Sequence, residues 1–401
     1  MRRRRILAAA LAVVGLAACG AGVDKAQNGP ADAGPSDAVL AGDFDVAGQL
    51  DPNADNDGDG YVYADDCNDR DPLVNPGAYD VPGDGVDNDC SGGIDDAPTK
   101  CDVGLALTSG DALDFAKAIG LCQTTYAAAT GKNKRWGVIS AALKTTDGVG
   151  APMPKQHGIE TAWGAVIRPH EGSAMAVLST GSARTPGQSD YQKPLDDVHA
   201  SPPPPPSTSN ENAPPPGWPK NSAGCPAPAS NTANDSVVLS LTIRVPTNAK
   251  AFSYDFDFFT SEYIDYVCSP WNDSYVAILT SKAPLDPSHA GNVSFDALGN
   301  PINVNSGFFE VCSPGAKNGK TFACGLGTAE LIGTGYSGDG AQDGATSWLR
   351  TTANVAPGET MTLQFMIWNT GDHWIQSAVV LDDFAWDAQG STAPVTGRPP
   401  S

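Results

Sequence analysis

The sequence predicts a mainly β protein: an antiparallel β-sandwich or jelly-roll domain, preceded by a small Asp-rich segment with little regular secondary structure. Three observations carry this. In the long C-terminal part, apolar residues recur at every second position, as in Leu239-Ser-Leu241-Thr-Ile243-Arg-Val245, Phe252-Ser-Tyr254-Asp-Phe256-Asp-Phe258 and Met361-Thr-Leu363-Gln-Phe365-Met-Ile367, so each run presents one apolar face. Residues 51–96 hold fourteen aspartates and no glutamate, broken by glycines, a composition that can build turns but no core. Helical spacing occurs in one short stretch only, around Phe115 and Ile119.

At the N-terminal end, four arginines at positions 2–5 precede an apolar run over 6–18. That run is too short to span a bilayer, and residues 1–18 read as a secretion signal. Its end, Leu16-Ala-Ala-Cys19, resembles the lipobox of bacterial lipoproteins. The resemblance implies cleavage before Cys19 and lipid attached to it, a membrane partner worth about 0.8 kcal/mol per buried methylene. Gly20, where aspartate would retain such a protein at the inner membrane, implies the outer membrane or cell surface. Residues 19–50, rich in Ala, Gly, Asp and Pro, read as a disordered tether with a mean reach of roughly 30 Å. Loss of the four arginines takes the formal charge from −22 to −26, which sets nucleic acid and anionic headgroups aside as partners.

Residues 51–98 form the second element. Arg70 is the one basic residue among the fourteen aspartates, so repulsion opposes a compact state unless a cation enters. Calcium suits short carboxylates at alternate positions with a glycine at the turn. With Asp55 at loop position 1, Asp57 and Asp59 fall at 3 and 5, Gly60 at 6, Tyr61 offers its carbonyl at 7, and Asp66 falls at 12. Aspartate replaces the usual glutamate at 12, and no flanking helices are expected. A second register runs through Asp87, Asp89, Ser91 and Gly92, closed by Asp95 or Asp96. Together with Asp66-Cys67-Asn-Asp69 and Val74-Asn-Pro-Gly-Ala78, this stretch resembles the metal-binding motif of many bacterial surface proteins and is similar to a thrombospondin type 3 repeat. Ca2+ is the cofactor implied.

Residues 101–387 are long enough for one large domain with a real core. A helix is expected over 111–119, with Asp111 as N-cap and an acid three residues on. Further strands are expected at 136–142, 162–167, 174–178, 275–279, 308–311 and 378–386, about nine in all with the three above. Residues 185–233 contain two proline runs and read as a long exposed loop, because proline cannot donate to a ladder. Whether this loop splits the region into two domains stays open at this point. Residues 388–401 read as a disordered polar tail.

Nine cysteines less Cys19 leave eight, suited to four disulfides in an oxidising compartment. Chain order suggests Cys67 with Cys90, Cys101 with Cys122, Cys225 with Cys268, and Cys312 with Cys324, one of about 105 pairings. Zinc is the rival, but no Cys-x-x-Cys occurs and the five histidines are scattered.

Three segments carry a second resemblance: Phe258-Phe-Thr-Ser-Glu262-Tyr263 with Asn272-Asp273; Gly327 to Tyr336 with its Gly333-Thr-Gly; and Ala345-Thr-Ser-Trp348 with Gly371-Asp372 and Val380-Leu381-Asp382-Asp383-Phe384. Together they look like the choice-of-anchor L domain, and the likeness reaches back to Ala118-Ile-Gly-Leu-Cys122. It implies an exported β module on a surface protein and supplies no catalytic residues.

Within these segments, Glu262, Asp273 and Asp382 are candidates for a second calcium site, against a reading as solvated loop carboxylates with Asp255 and Asp257 on the polar face of their strand. Trp163, Trp218, Trp271, Trp348, Trp368 and Trp374 are candidates for stacking on sugars, against core packing. No His-Glu-x-x-His, Gly-x-Ser-x-Gly, P-loop or dinucleotide pattern occurs in context, and His170-Glu171 and His373 read as incidental. The sequence thus points to a non-enzymatic, lipid-anchored surface protein in which a calcium-rigidified stalk presents a β-sandwich to a glycan or surface-protein ligand. An exported hydrolase and a purely structural envelope lipoprotein are the alternatives.

Overall fold

The computed structural model describes residues 51–96, 99–194, 211–336 and 343–400. The signal segment, Cys19, the tether at 19–50 and the prolines at 202–206 lie outside the described residues.

Two antiparallel sheets face each other. We label ten strands: β1 Gly137–Lys144, β2 His157–Glu160, β3 Met175–Ser179, β4 Ala233–Arg244, β5 Ala251–Thr260, β6 Ser274–Thr280, β7 Leu349–Asn354, β8 Thr360–Asn369, β9 Ser377–Asp387 and β10 Val395–Gly397. The first sheet runs β1-β4-β8-β6, with the short Glu211–Asn212 beside β4. The second runs β10-β7-β5-β9-β3-β2, with Gly344–Ala345 beside β5. Strands from before the proline-rich segment pair with strands from after it in both sheets, β1 with β4 and β3 with β9. That pairing makes one sandwich, not two domains.

The period-two runs explain the core. Leu239, Leu241 and Ile243 on β4 and Leu363, Phe365 and Ile367 on β8 meet Phe252, Tyr254, Phe256 and Phe258 on β5 in one buried cluster. Tyr254 sits edge-on to Phe365 at 4.9 Å, which ties the sheets directly. The helix α1, Ala112–Ala118, starts where Asp111 accepts from the Leu113 amide and buries Phe115 against this cluster.

Several expectations are corrected. Residues 162–167 form a loop closed by a Trp163–Ile167 bridge, and Val311 makes bridges without a strand at 308–311. Strands β2, β7 and β10 were not foreseen. β7 alternates Leu349, Thr351, Ala353 inward, a period hidden because its middle inward residue is a threonine, bonded to Ser294 and Thr396. The tail expected to be disordered supplies β10, paired with β7. Part of the loop expected to be exposed is a covering layer: Trp218 is buried edge-on to Trp368 at 6.1 Å, on the outer face of the first sheet.

The Asp-rich segment has no helix or strand, yet it is docked rather than extended as a stalk. Tyr61, Asn75 and Ala78 are buried. The Tyr61 hydroxyl donates to the Lys134 carbonyl, and Thr247 donates from its amide to Gly77 O (3.0 Å) and from its hydroxyl to Asn75 Oδ1 (2.8 Å). Asn248 bonds both the amide and the carbonyl of Tyr79. Arg135 lies 3.8 Å from Asp89.

Candidate metal centre

In the first acidic run, short carboxylates fold the backbone back on themselves. Asp55 accepts from the amides of Gly58 (2.7 Å) and Gly60 (3.1 Å), Asp57 Oδ1 from Asp59, and Asp59 Oδ1 from Tyr61. Gly60 has φ +95°, a conformation that side chains rarely adopt. The second run repeats the device: Asp87 accepts from the amides of Ser91 (3.0 Å) and Gly92 (2.9 Å), and Gly92 has φ +93°. The Cys67–Cys90 disulfide joins the two runs.

These turns use one oxygen of each of three aspartates and aim the other inward. Asp57, Asp59 and Asp66 bring ligand oxygens within 4.8 Å of one another, and Asp57 Oδ2, Asp59 Oδ2 and Asp66 Oδ2 are each buried with no hydrogen-bond partner. Burial, and then the mutual repulsion of the carboxylates, raises Asp57, pushes Asp59 up to about 6 and Asp66 up to about 7. A divalent cation would offset both effects by favouring the charged carboxylates. Asp55 converges instead with Asp57 and Asp69. Asp69, which the loop register misses, also accepts from Asn56.

In the second run Asp87 and Asp89 converge with Asp80, seven residues ahead of the register. Asp95, expected to close the loop, accepts from the amides of Gly83 and Gly85, while Ser91 donates its hydroxyl to Asp96 (3.0 Å). The Tyr61 ring is an anchor into the sandwich, with Lys134 Nζ 5.6 Å above it. Nothing but acidic composition marks Asp69 and Asp80 in the sequence, because their partners are set by how the turns close.

The donor chemistry is uniform. Every side-chain ligand atom in the Asp57 and Asp80 groups is a carboxylate oxygen, and Cys67 and Cys90 are consumed by their disulfide. Hard oxygen donors without imidazole, thiolate or thioether suit a hard divalent cation.

Comparison with known proteins divides the chain in the same way. Residues 176–386 match the choice-of-anchor L domain, more than half of the chain. The chain belongs to the choice-of-anchor L family. Residues 66–96 match a metal-binding motif whose family label names copper and MopE. No curated protein matches. Among solved structures, the enzymatically active domain of tailspike protein 4 of bacteriophage CBA120 is similar at 10% identity, covering 62% of this chain and 19% of that one, with a TM-score of 0.20; so distant a likeness carries no argument. Family membership makes this a surface-associated, β-rich protein. No helix among the described residues is long and apolar enough to cross a membrane.

The remaining sequence candidates lie in the sandwich and its disulfides. The eight cysteines among the described residues pair in chain order, Cys67–Cys90, Cys101–Cys122, Cys225–Cys268 and Cys312–Cys324. Glu262 and Asp273 are brought together and buried, the Asp273 amide donating to Glu262 Oε1 at 3.0 Å, and burial raises both well above the usual carboxylate range. Asp382 does not join them. It lies on the outer face of the second sheet opposite Asp255, accepting from the amides of His170 and Glu171, and burial pushes it up to about 7. Asp255 and Asp257 are not a solvated strand face but fully buried. Nor are the two histidines incidental: His170 Nδ1 is 2.7 Å from Asp255 and His373 Nδ1 2.9 Å from Asp235. Of the six tryptophans considered for stacking, Trp163, Trp218 and Trp368 are core, while Trp271 is exposed.

Proposed function

We propose that this protein is a calcium-binding, lipid-anchored surface protein whose β-sandwich serves adhesion or ligand binding, without catalysis. One observation carries the calcium reading: Asp57, Asp59 and Asp66 bring carboxylate oxygens within 4.8 Å of one another, and each of the three also has a buried Oδ2 with no hydrogen-bond partner. Asp80, Asp87 and Asp89 would hold a second ion. Bound there, calcium supplies positive charge to a segment that has almost none of its own, and so fixes the turns that dock it on the sandwich. The lipid anchor is supported by the basic and apolar N-terminal runs and by Leu16-Ala-Ala-Cys19; Cys19→Ser should release the protein from membranes.

Titration of the full chain with calcium and, separately, with copper tests the metal reading. The expected result is calcium binding at roughly 10⁻⁴ to 10⁻³ M, abolished at one site by Asp66→Asn, with no tight copper binding. Copper binding that outcompetes calcium, or calcium binding unchanged in the variant, would overturn it.

A further inference from the structure

On the outer face of the second sheet, three adjacent strands place Asp382, Asp255 and Arg350 in one lateral row, since Asp255 of β5 lies opposite Asp382 of β9 and Arg350 of β7. A cleft of about 640 Å³ opens over this row, walled by Pro169, His170, Trp348, Arg398 and Pro399, a size suited to a small ligand. Its floor is wired in a definite sense. Arg350 donates from Nε to Asp255 Oδ1 (2.6 Å) and from Nη2 to Asp255 Oδ2 (2.9 Å) and to Asp383. A carboxylate held this way only accepts, so His170 Nδ1, 2.7 Å from Asp255 Oδ2, carries a proton and points inward, which leaves Nε2 for a ligand. Among the described residues nothing bonds His170 Nε2 or Arg350 Nη1. The cleft therefore sets a ring nitrogen beside a guanidinium nitrogen, against an apolar wall in which the Trp348 ring backs the His170 ring at 4.4 Å.

Charge narrows the ligand. The lining holds the carboxylates of Asp255 and Asp383 against the guanidinium groups of Arg350 and Arg398, so these four charges balance and leave no surplus among themselves with which to hold an ion. A hydroxyl both donates and accepts, and a sugar ring adds an apolar C–H face. From this geometry we propose that the cleft binds a neutral oligosaccharide, with ring hydroxyls on His170 Nε2 and Arg350 and the C–H face against Trp348 and the prolines. The proposal rests on the reading of the domain as a ligand-binding module and is independent of the calcium reading.

The test is calorimetric titration of the full chain, in calcium and in chelator, with neutral gluco-, manno- and galacto-configured trisaccharides, a uronic-acid trisaccharide and a proline-rich peptide. Wild type should bind at least one neutral sugar below about 10 mM, a weak affinity near −3 kcal/mol, and no tighter the charged one. Trp348→Ala should weaken binding about tenfold, and His170→Phe, which keeps a ring against Trp348 but removes Nε2, should weaken it comparably while the far-UV spectrum is retained. Failure of wild type to bind any neutral sugar, or preference for the peptide or the uronic acid, overturns the proposal, and binding of none of the probes counts against the ligand-binding reading of the domain as well. Sugar binding unchanged in both folded variants overturns this cleft alone.

Discussion

The Asp-rich segment and the outer face of the second sheet both bury carboxylates, and they do so by opposite means. At the sheet, Asp255 is fully buried but held by the Arg350 guanidinium on both oxygens and by His170; the chain brings its own counter-charge. In the segment, Asp57, Asp59 and Asp66 converge within 4.8 Å, each with a buried Oδ2 that has no hydrogen-bond partner, and no ion pair to any of the three is seen among the described residues. The first arrangement is self-sufficient. On the proposed reading the second needs a cation from solution, where the first carries its partner within the fold.

The largest effect should come from breaking the self-sufficient side. Arg350→Met leaves Asp255 without its partner, and loss of one member of a buried pair typically costs about 3–5 kcal/mol; denaturant unfolding should show this equally in calcium and in chelator. A smaller effect is expected on the conditional side. Chelation should raise the rate of proteolysis within 51–96 while the unfolding midpoint of the sandwich stays nearly constant, because at 1 mM calcium and a dissociation constant of about 10⁻⁴ M the ion adds only about 1.4 kcal/mol. An equal calcium dependence in both regions would erase the distinction.

Acidity sharpens it further. Asp59 and Asp66 are raised, to about 6 and about 7, above the unfolded carboxylate value near 3.8. In the ion-free protein their contribution to stability is therefore fully present below about pH 4 and lost as pH rises through 6 to 7. Chelated protein should accordingly resist protease in the segment better at pH 5 than at pH 8, and calcium should reverse that order, since binding requires deprotonated ligands. The smallest effect should follow Thr247→Val, which removes the hydroxyl bond to Asn75 and loosens docking by about 0.5–1.5 kcal/mol, read as faster amide exchange at Gly77 and Tyr79.

The sequence made the periodic parts legible. β4, β5 and β8 alternate over their whole length, α1 announces its N-cap at Asp111, and cysteines near in sequence pair with one another. It also located the acidic turns, because Gly60 and Gly92 sit at the sixth loop position, where the backbone has positive φ. What it hid was everything set by distant partners. Asp69 and Asp80 join their groups only after the turns close. Asp255 looks like a solvent-facing strand residue until the two separate segments carrying His170 and Trp348 close beside it. The docking of the segment depends on Thr247 and Asn248, some 170 residues away, and local pattern has no reach over that span. β7 escaped for a subtler reason: an inward threonine satisfied by Ser294 and Thr396 breaks the apolar alternation without breaking the strand.

That same threonine draws attention to the sheet margin. β10 is three residues long and lies along β7, the flank that would otherwise offer a row of unpaired amides and carbonyls to any passing chain. A molecule cut back to residue 390 would keep its interior and its acidic turns but bare that flank. It should then gather into strand-joined multimers, visible by light scattering, while the uncut molecule stays dispersed.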